Sequence, residues 1–299
     1  MTRPTQEAGS AQGTLFALPA APPVPDLASY DIILINISGG KDSQAALDET
    51  VRAADAVGVR DRIVTVFCDL GDEDEWPGTR ELAAEHAAHY YGLRHEVVRR
   101  EVKTPGGQRV QQTLTDHIEQ RGKWPDAARR YCTSDLKRAP VHRLMTRLAA
   151  EQRAAGITGR RVRILNVLGL RAQESARRAL MTSFSRDDRA TNQTVRLVDE
   201  WLPIHSWTVQ QAWARIAEAG TRPHPVYAVG MPRLSCRFCV LASRSALVLA
   251  ARLDPEGAER RAAMEQRMGH TFRKDLSMRD IIAEAGTAVG PLAVEDWAA

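Results

Sequence analysis

Six consecutive residues, Ser38-Gly39-Gly40-Lys41-Asp42-Ser43, have the types needed to hold a phosphate. Gly39 and Gly40 let backbone N–H groups approach anionic oxygens, Ser38 and Ser43 can donate hydroxyls, and Lys41 carries a compact positive charge. A helix beginning near Asp42 directs the positive end of its dipole at the same place. The loop departs from the Walker A pattern, which needs a glycine five places before Gly40 and a Ser or Thr after Lys41. Ile35 and Asp42 stand at those positions. A plain strand-to-helix turn also uses two glycines, so the loop by itself leaves both readings open.

Three further stretches carry charged or reactive groups. "CDLGDEDEW" (68–76) gathers Asp69, Asp72, Glu73 and Asp74. Carboxylates at the C-terminal edge of a strand can hold Mg²⁺ against a pyrophosphate, or they can form a solvated acidic turn. "LGLRAQESARR" (168–178) places Arg171 just past an apolar run, where its guanidinium can take two phosphate oxygens at once. Glu174 and Arg178 lie four apart and also fit an ion pair on a helix surface. Cys236 and Cys239 form C-x-x-C, which reads as a metal pair or as two buried small residues, while Cys68 reads as a core cysteine.

The elements that must position these groups follow from the apolar pattern. Runs rich in β-branched residues predict strands over 31–37, 63–67, 95–100 and 162–168. Leu47, Val51 and Ala54 recur at helical spacing after the glycine loop, and 79–91, 141–155 and 208–219 also read as helices, the last stopped by Gly220. Strands alternating with helices predict an α/β fold, a doubly wound and mainly parallel sheet of the Rossmann-like kind with both faces covered. The polar stretch 183–194 reads as a mobile loop and 104–107 as a turn. From Trp201 the alternation fades, which predicts a small, mostly helical C-terminal appendage. The chain is expected to divide into a flexible, Ala- and Pro-rich arm (1–28), a nucleotide-binding α/β domain (29–200) and a helical region bearing the C-x-x-C segment (201–299).

The glycine loop, S-G-G-K-D-S, resembles the pyrophosphate loop of the adenine nucleotide alpha-hydrolase (PP-loop ATPase) superfamily. Four other segments resemble the phosphoadenylyl sulfate reductase family within it. Asp69, Gly71 and Glu73 match "DTGxExPET"; Gly169, Arg171, Glu174, Ser175 and Arg178 match "LGxRxxESxxR". Cys132, Lys137 and Pro140 match "CCxxxKxxP", and residues 224–239 match "HPLYxxGxxRxSCxxC". The resemblance implies a HUP-type fold that splits ATP, with Mg²⁺, between the α and β phosphates. It implies Lys41, Asp42 and Arg171 as catalytic residues. It places Ser38, Gly39, Gly40, Lys41, Asp42, Ser43, Asp69, Gly169, Arg171 and Arg178 around the nucleotide. It also joins Cys132 to Cys236 and Cys239 as a three-thiolate site, either a [4Fe–4S] cluster with one open iron or Zn²⁺ with a fourth ligand such as His224.

Sulfonucleotide reductases of this family carry a catalytic cysteine in a C-terminal "ECGLH" segment, whereas no cysteine follows Cys239 here and the sequence closes on "GPLAVEDWAA". The chain therefore most resembles the ATP pyrophosphatase component of DNA phosphorothioation systems of the Dnd or Ssp kind. That implies DNA, a cysteine desulfurase or sulfur carrier, and other subunits of the modification system as partners. A sulfonucleotide reductase with an atypical thiol and a non-catalytic nucleotide-binding scaffold are the other readings.

Composition sets the outer bounds. Lys and Arg number 41 against 37 Asp and Glu in 299 residues, too even a balance to establish nucleic-acid binding by itself. No apolar run is long enough to span a bilayer, so no membrane partner is expected. The opening residues lack the pattern of a signal peptide, and four cysteines then suit a reducing, cytoplasmic setting.

Overall fold

The computed structural model describes residues 24–286. Most of the expected N-terminal arm and the closing "GPLAVEDWAA" lie outside the described residues. β1 (Ile32–Ile37) is apolar at every position but Asn36 because it is covered on both faces. Ile33, Ile35 and Ile37 pack with Leu47, Val51 and Ala54 of α1 (Lys41–Ala56). Ile32 and Leu34 point the other way, toward Val141, Leu144, Met145 and Leu148 of a later helix. An uninterrupted run of Ile and Leu is the signature of such a central strand.

The remaining elements follow in chain order. β2 (Ile63–Cys68), α2 (Thr79–Ala84, running on as a π-helical turn over Glu85–Tyr90) and β3 (Arg94–Val98) form the first half. A hairpin of β4 (Arg100–Lys103) and β5 (Arg109–Gln112) leads to α3 (Leu114–Arg121), α4 (Tyr131–Thr133) and α5 (Ala139–Ala154). β6 (Val162–Leu168), α6 (Ala176–Ala179), β7 (Phe184–Arg186) and β8 (Arg196–Trp201) complete the sheet. Beyond it come α7 (Val209–Ala219), α8 (Arg244–Leu253), α9 (Pro255–Met268) and α10 (Met278–Ala285).

The six-stranded sheet has the order β3-β2-β1-β6-β8-β7, parallel throughout except for β7, which runs antiparallel along β8 at the edge. The doubly wound α/β expectation is therefore met, with a helical C-terminal region. Chain direction through the sheet reverses between β1 and β6. Open α/β sheets bind ligands at such a switch point, beyond the C-terminal ends of the strands.

One expectation is corrected, and one strand is added. The stretch 183–194 is not a free loop: Phe184–Arg186 forms the edge strand and Ala190 is buried. Its polar sequence reflects an edge strand open to water on one side, which carries little apolar pattern. β8 also escaped the sequence reading, since Arg196, Asp199 and Glu200 interrupt its apolar residues. Asp199 is nonetheless buried, accepting from the Tyr30 hydroxyl (2.9 Å) and from Arg186 (2.6 Å).

A second core sits apart from the sheet. Leu70, Trp76, Leu114, Ile118 and Trp124 pack there with the C-terminal helices, including Leu247, Ala258, Met264 and Ile281. Its polar rivet is a buried ion pair, Arg261 Nη2 to Asp74 Oδ1 at 2.6 Å, with the Thr115 N–H donating to Asp74 at 2.9 Å. Removing one partner of such a pair leaves a charge without compensation. Arg261→Met is expected to lower unfolding stability by about 3–5 kcal/mol in urea titrations, and Arg261→Met with Asp74→Asn to recover much of that loss. A single-variant loss under about 1 kcal/mol would show that the pair does not hold the two regions together.

Candidate functional site

The glycine loop joins β1 to α1, and "LGLR" follows β6, so the two lie on either side of the switch point. Their approach is close enough to dictate residue type. A Cβ added to Gly169 would stand 2.5 Å from the Asp42 carbonyl oxygen, so only glycine lets β6 end against the start of α1. Gly39 has φ +70°, a left-handed turn that L side chains rarely adopt. Ser43 cinches the turn: its hydroxyl donates to the Gly40 carbonyl (2.8 Å) and accepts the Ser38 N–H (3.1 Å). α1 then leaves its first backbone N–H groups pointing out of the turn, without intrahelical acceptors.

Around this turn the charges are buried and shared. Arg171 is 4% exposed, and its Nε donates to Asp42 Oδ1 at 2.6 Å. Lys41 is equally buried and reaches Asp42 Oδ2 at 3.5 Å. Burial pushes the Lys41 pKa down, Asp42 opposes that, and the charges of Arg171 and Arg233 push it further down. Glu174 accepts the Arg171 backbone N–H (3.0 Å), is clasped by Arg178 and lies 3.7 Å from Arg233. Burial opposes its ionisation, but these donors hold the carboxyl below the usual range. Four cations thus face two carboxylates, an excess of positive charge that suits an anion. Arg178 is engaged as the helix ion pair that its spacing from Glu174 allows.

The sequence reading did not place Tyr227 or Arg233 at this site. Both belong to a strap, residues 224–239, that lies across the glycine loop. The Tyr227 hydroxyl accepts the N–H of Lys41 (2.9 Å) and that of Leu234 (3.2 Å), and Lys41 Nζ donates to the Pro232 carbonyl (3.2 Å). The Leu234 side chain stands over Gly39 and Gly40. The available signal was Arg233 itself, which matches the arginine of the "RxSCxxC" segment.

His224 anchors the strap. Its Nδ1 accepts the Val226 N–H (3.2 Å), while Nε2 lies 3.2 Å from both the Pro77 carbonyl and the Thr79 hydroxyl. Both ring nitrogens are engaged in the neutral ring, which removes His224 as a fourth zinc ligand.

The metal expectations fare differently from the phosphate loop. Asp69 accepts from Arg80 (2.9 Å), from Arg99 and from the Gly71 N–H (2.9 Å), and Asp74 is spent on Arg261 and Thr115. Asp69 and Asp74 are therefore held by arginines, while Asp72 and Glu73 are exposed. Cys236 and Cys239 are free thiols joined by a hydrogen bond, which lowers the Cys239 thiol to about 6 and raises Cys236. Burial raises the Cys132 thiol, and Cys239 adds to that. Yet among the described residues no three His, Cys, Asp or Glu side chains are grouped to hold a metal ion. Cys132, Cys236 and Cys239 are nonetheless neighbours, with Cys239 acting on both of the other thiols. Cys68 is the core cysteine expected, its thiol pushed up to about 12 by burial.

Two outcomes test this geometry. Gly169→Ala is expected to cost about 1–3 kcal/mol in chemical denaturation, because the new methyl must push α1 aside. Gly106→Ala, where the nearest atom is 3.9 Å away, should be close to neutral. Burial lowers the His224 pKa from 6.5 to about 4. The neutral ring's contribution is therefore complete above pH 6.5 and lost as pH falls through about 4. Over that window the wild type should lose about 3 kcal/mol relative to His224→Leu, read from unfolding free energies at each pH. Parallel pH profiles would refute the anchoring role.

Comparison with known proteins follows the same lines. A stretch of 154 residues, 52% of the chain, is 27% identical to an uncharacterized 37.8 kDa protein of Escherichia phage 186 and covers 42% of it. The chain thus spans less than half the length of that relative. Similar solved structures include the phosphoadenylyl-sulfate reductase of Candida auris in a phosphate complex, with 12% identity, TM-score 0.42, and coverage of 71% of this chain and 84% of that one. Another is the U34-tRNA thiolase NcsA of Methanococcus maripaludis with its [4Fe-4S] cluster, with 11% identity, TM-score 0.38, and coverage of 86% and 71%. Residues 32–242, from the first strand to just past the C-x-x-C pair, match the phosphoadenosine phosphosulfate reductase domain, and the chain belongs to that family.

Proposed function

We propose that the chain cleaves ATP, taken as its magnesium complex, between the α and β phosphates and passes AMP to an acceptor, the DNA backbone, for sulfur transfer. The observation that carries this reading is the turn at the switch point, where Lys41 and Arg171 converge on Asp42 from opposite sides. The β and γ phosphates would take the place of Asp42 as partner of both cations. An acceptor oxygen attacks the α phosphorus, the bond from that phosphorus to the bridging oxygen breaks, and pyrophosphate leaves with the bond's electron pair. Lys41 and Arg171 stabilise the charge that develops on it. A persulfide sulfur from a cysteine desulfurase or carrier protein would then attack the activated phosphorus and displace AMP, and a second thiol would cleave its S–S bond, leaving the sulfur on the acceptor and a disulfide on the donor side. Tyr227 and Leu234 cover the loop, so the strap must shift as the triphosphate enters.

The lowered Cys239 thiol beside Cys236 favours a second reading, reduction of a sulfonucleotide. There the Cys239 thiolate would take the sulfonate sulfur and release the nucleotide. A second thiol would then free sulfite and leave a disulfide. Burial raises the Cys68 thiol, which makes it the poorer nucleophile of the two.

Incubation with α-labelled ATP, Mg²⁺ and DNA is expected to give AMP and pyrophosphate. ADP and phosphate, or sulfite released from phosphoadenylyl sulfate with thioredoxin, would overturn the first reading. Arg171→Lys keeps the charge but loses the planar fork, and should slow turnover by about 2 kcal/mol of barrier. Unchanged turnover would place Arg171 outside the chemistry.

A further inference from the structure

A cleft of about 630 Å³ lies outside the turn, between the β4–β5 hairpin and α5. Its lining carries Arg80, Arg99, Arg143 and Arg147 with the acid Glu101 and the apolar Val97 and Leu144, and Asp69, Glu96 and Glu151 pair with three of the four arginines, leaving Arg143 without a carboxylate among the described residues. We infer that this cleft holds a phosphodiester strand of nucleic acid and leads it to the nucleotide site. The inference rests on the DNA acceptor proposed above and names the surface that would bind it.

The arginines are set in advance. Arg80 and Arg99 are both fixed on Asp69, the residue that follows β2 at the sheet's C-terminal edge. One end of the cleft therefore opens beside the strand edge that carries the glycine loop. Arg99 is steadied further by Gln111 (2.6 Å), and Arg147 by Glu96 (2.7 Å) and Glu151 (3.0 Å). A guanidinium with some of its N–H groups held by protein keeps the others for a ligand, at less cost in side-chain freedom.

Arg143 is different. It donates to the Arg99 carbonyl (3.1 Å), and no described carboxylate pairs with it. Arg143 and Arg147 are four apart on α5, so they occupy one face of the helix. Two cations one turn apart, with two more toward the sheet edge, suit successive phosphates better than one small anion. The apolar lining, with Val97 43% exposed, suits sugars and bases and would be wasted on inorganic phosphate.

The test is fluorescence anisotropy with a short labelled DNA duplex, and with an RNA strand of equal length, in the absence of nucleotide. Because no ATP is present, the result does not depend on whether ATP is cleaved. Wild type should bind with strong salt dependence. Arg143→Glu should weaken binding at least about tenfold near 50 mM salt and make the salt slope shallower by about one or more. Arg244→Glu, an exposed arginine of α8, should bind like the wild type. Equal affinity for RNA would support a site that reads the backbone. The inference fails if wild type does not bind at low salt, if Arg143→Glu and Arg244→Glu lose affinity equally, or if millimolar inorganic phosphate displaces the duplex. Both variants are first matched to wild type in thermal unfolding, so a folding defect cannot stand in for a lost contact.

Discussion

Asp42 is the point on which the site turns. One carboxylate serves a lysine beside it on α1 and an arginine that arrives 129 residues later from the end of β6. Both cations are almost wholly buried, and a buried cation without a counter-charge would shift its pKa or disrupt the fold. Asp42 thus makes it possible to bury the two cations together. It also sets the condition for a ligand, which must offer at least as much negative charge to the same two groups. A pyrophosphate does so with several oxygens, whereas a neutral ligand does not. The geometry depends on Gly169, because only without a side chain there can β6 and α1 meet closely enough for one carboxylate to reach both cations.

The strap adds a second level of control on the same turn. Tyr227 spends its hydroxyl on the first N–H of α1, and its ring lies 5.5 Å from Lys41 Nζ and edge-on to Trp213. The groups that bind the turn therefore come from the segment that also carries Cys236 and Cys239. A phosphate entering beneath Leu234 cannot leave this segment where it is. In the function proposed above, nucleotide entry would move the thiol pair as well, since Cys236 and Cys239 follow Leu234 by two and five positions.

Much of this was legible before any coordinates. The central strand, the loop and α1 announce themselves because burial on both faces forces an unbroken apolar run, and a phosphate turn forces glycines. Arg171 was legible for a similar reason, since a charged residue just past a buried strand has few places to go. β8 and the edge strand β7 were not legible. Their apolar pattern is broken by Arg196, Asp199 and Glu200, and Asp199 is tolerated inside only because Tyr30 and Arg186 meet it there. The strap was readable as a motif but not as a lid, since its contact with the loop joins residues about 190 positions apart.

The acidic segment shows how much of a sequence pattern depends on partners from elsewhere in the chain. Asp69, Asp72, Glu73 and Asp74 in one short stretch look like a place for a divalent cation. A metal site, however, needs carboxylates whose oxygens converge and remain free, and sequence shows only their number. Arg80 and Arg99 converge on Asp69, and Arg261 seals Asp74 into the second core. Asp72 and Glu73 are left at the surface. The arginines come from α2, from the β3–β4 connection and from α9, so the segment works as a junction that binds these three to the end of β2. Two of these carboxylates, Asp69 and Asp74, thus hold distant parts of the chain around the C-terminal edge of the sheet.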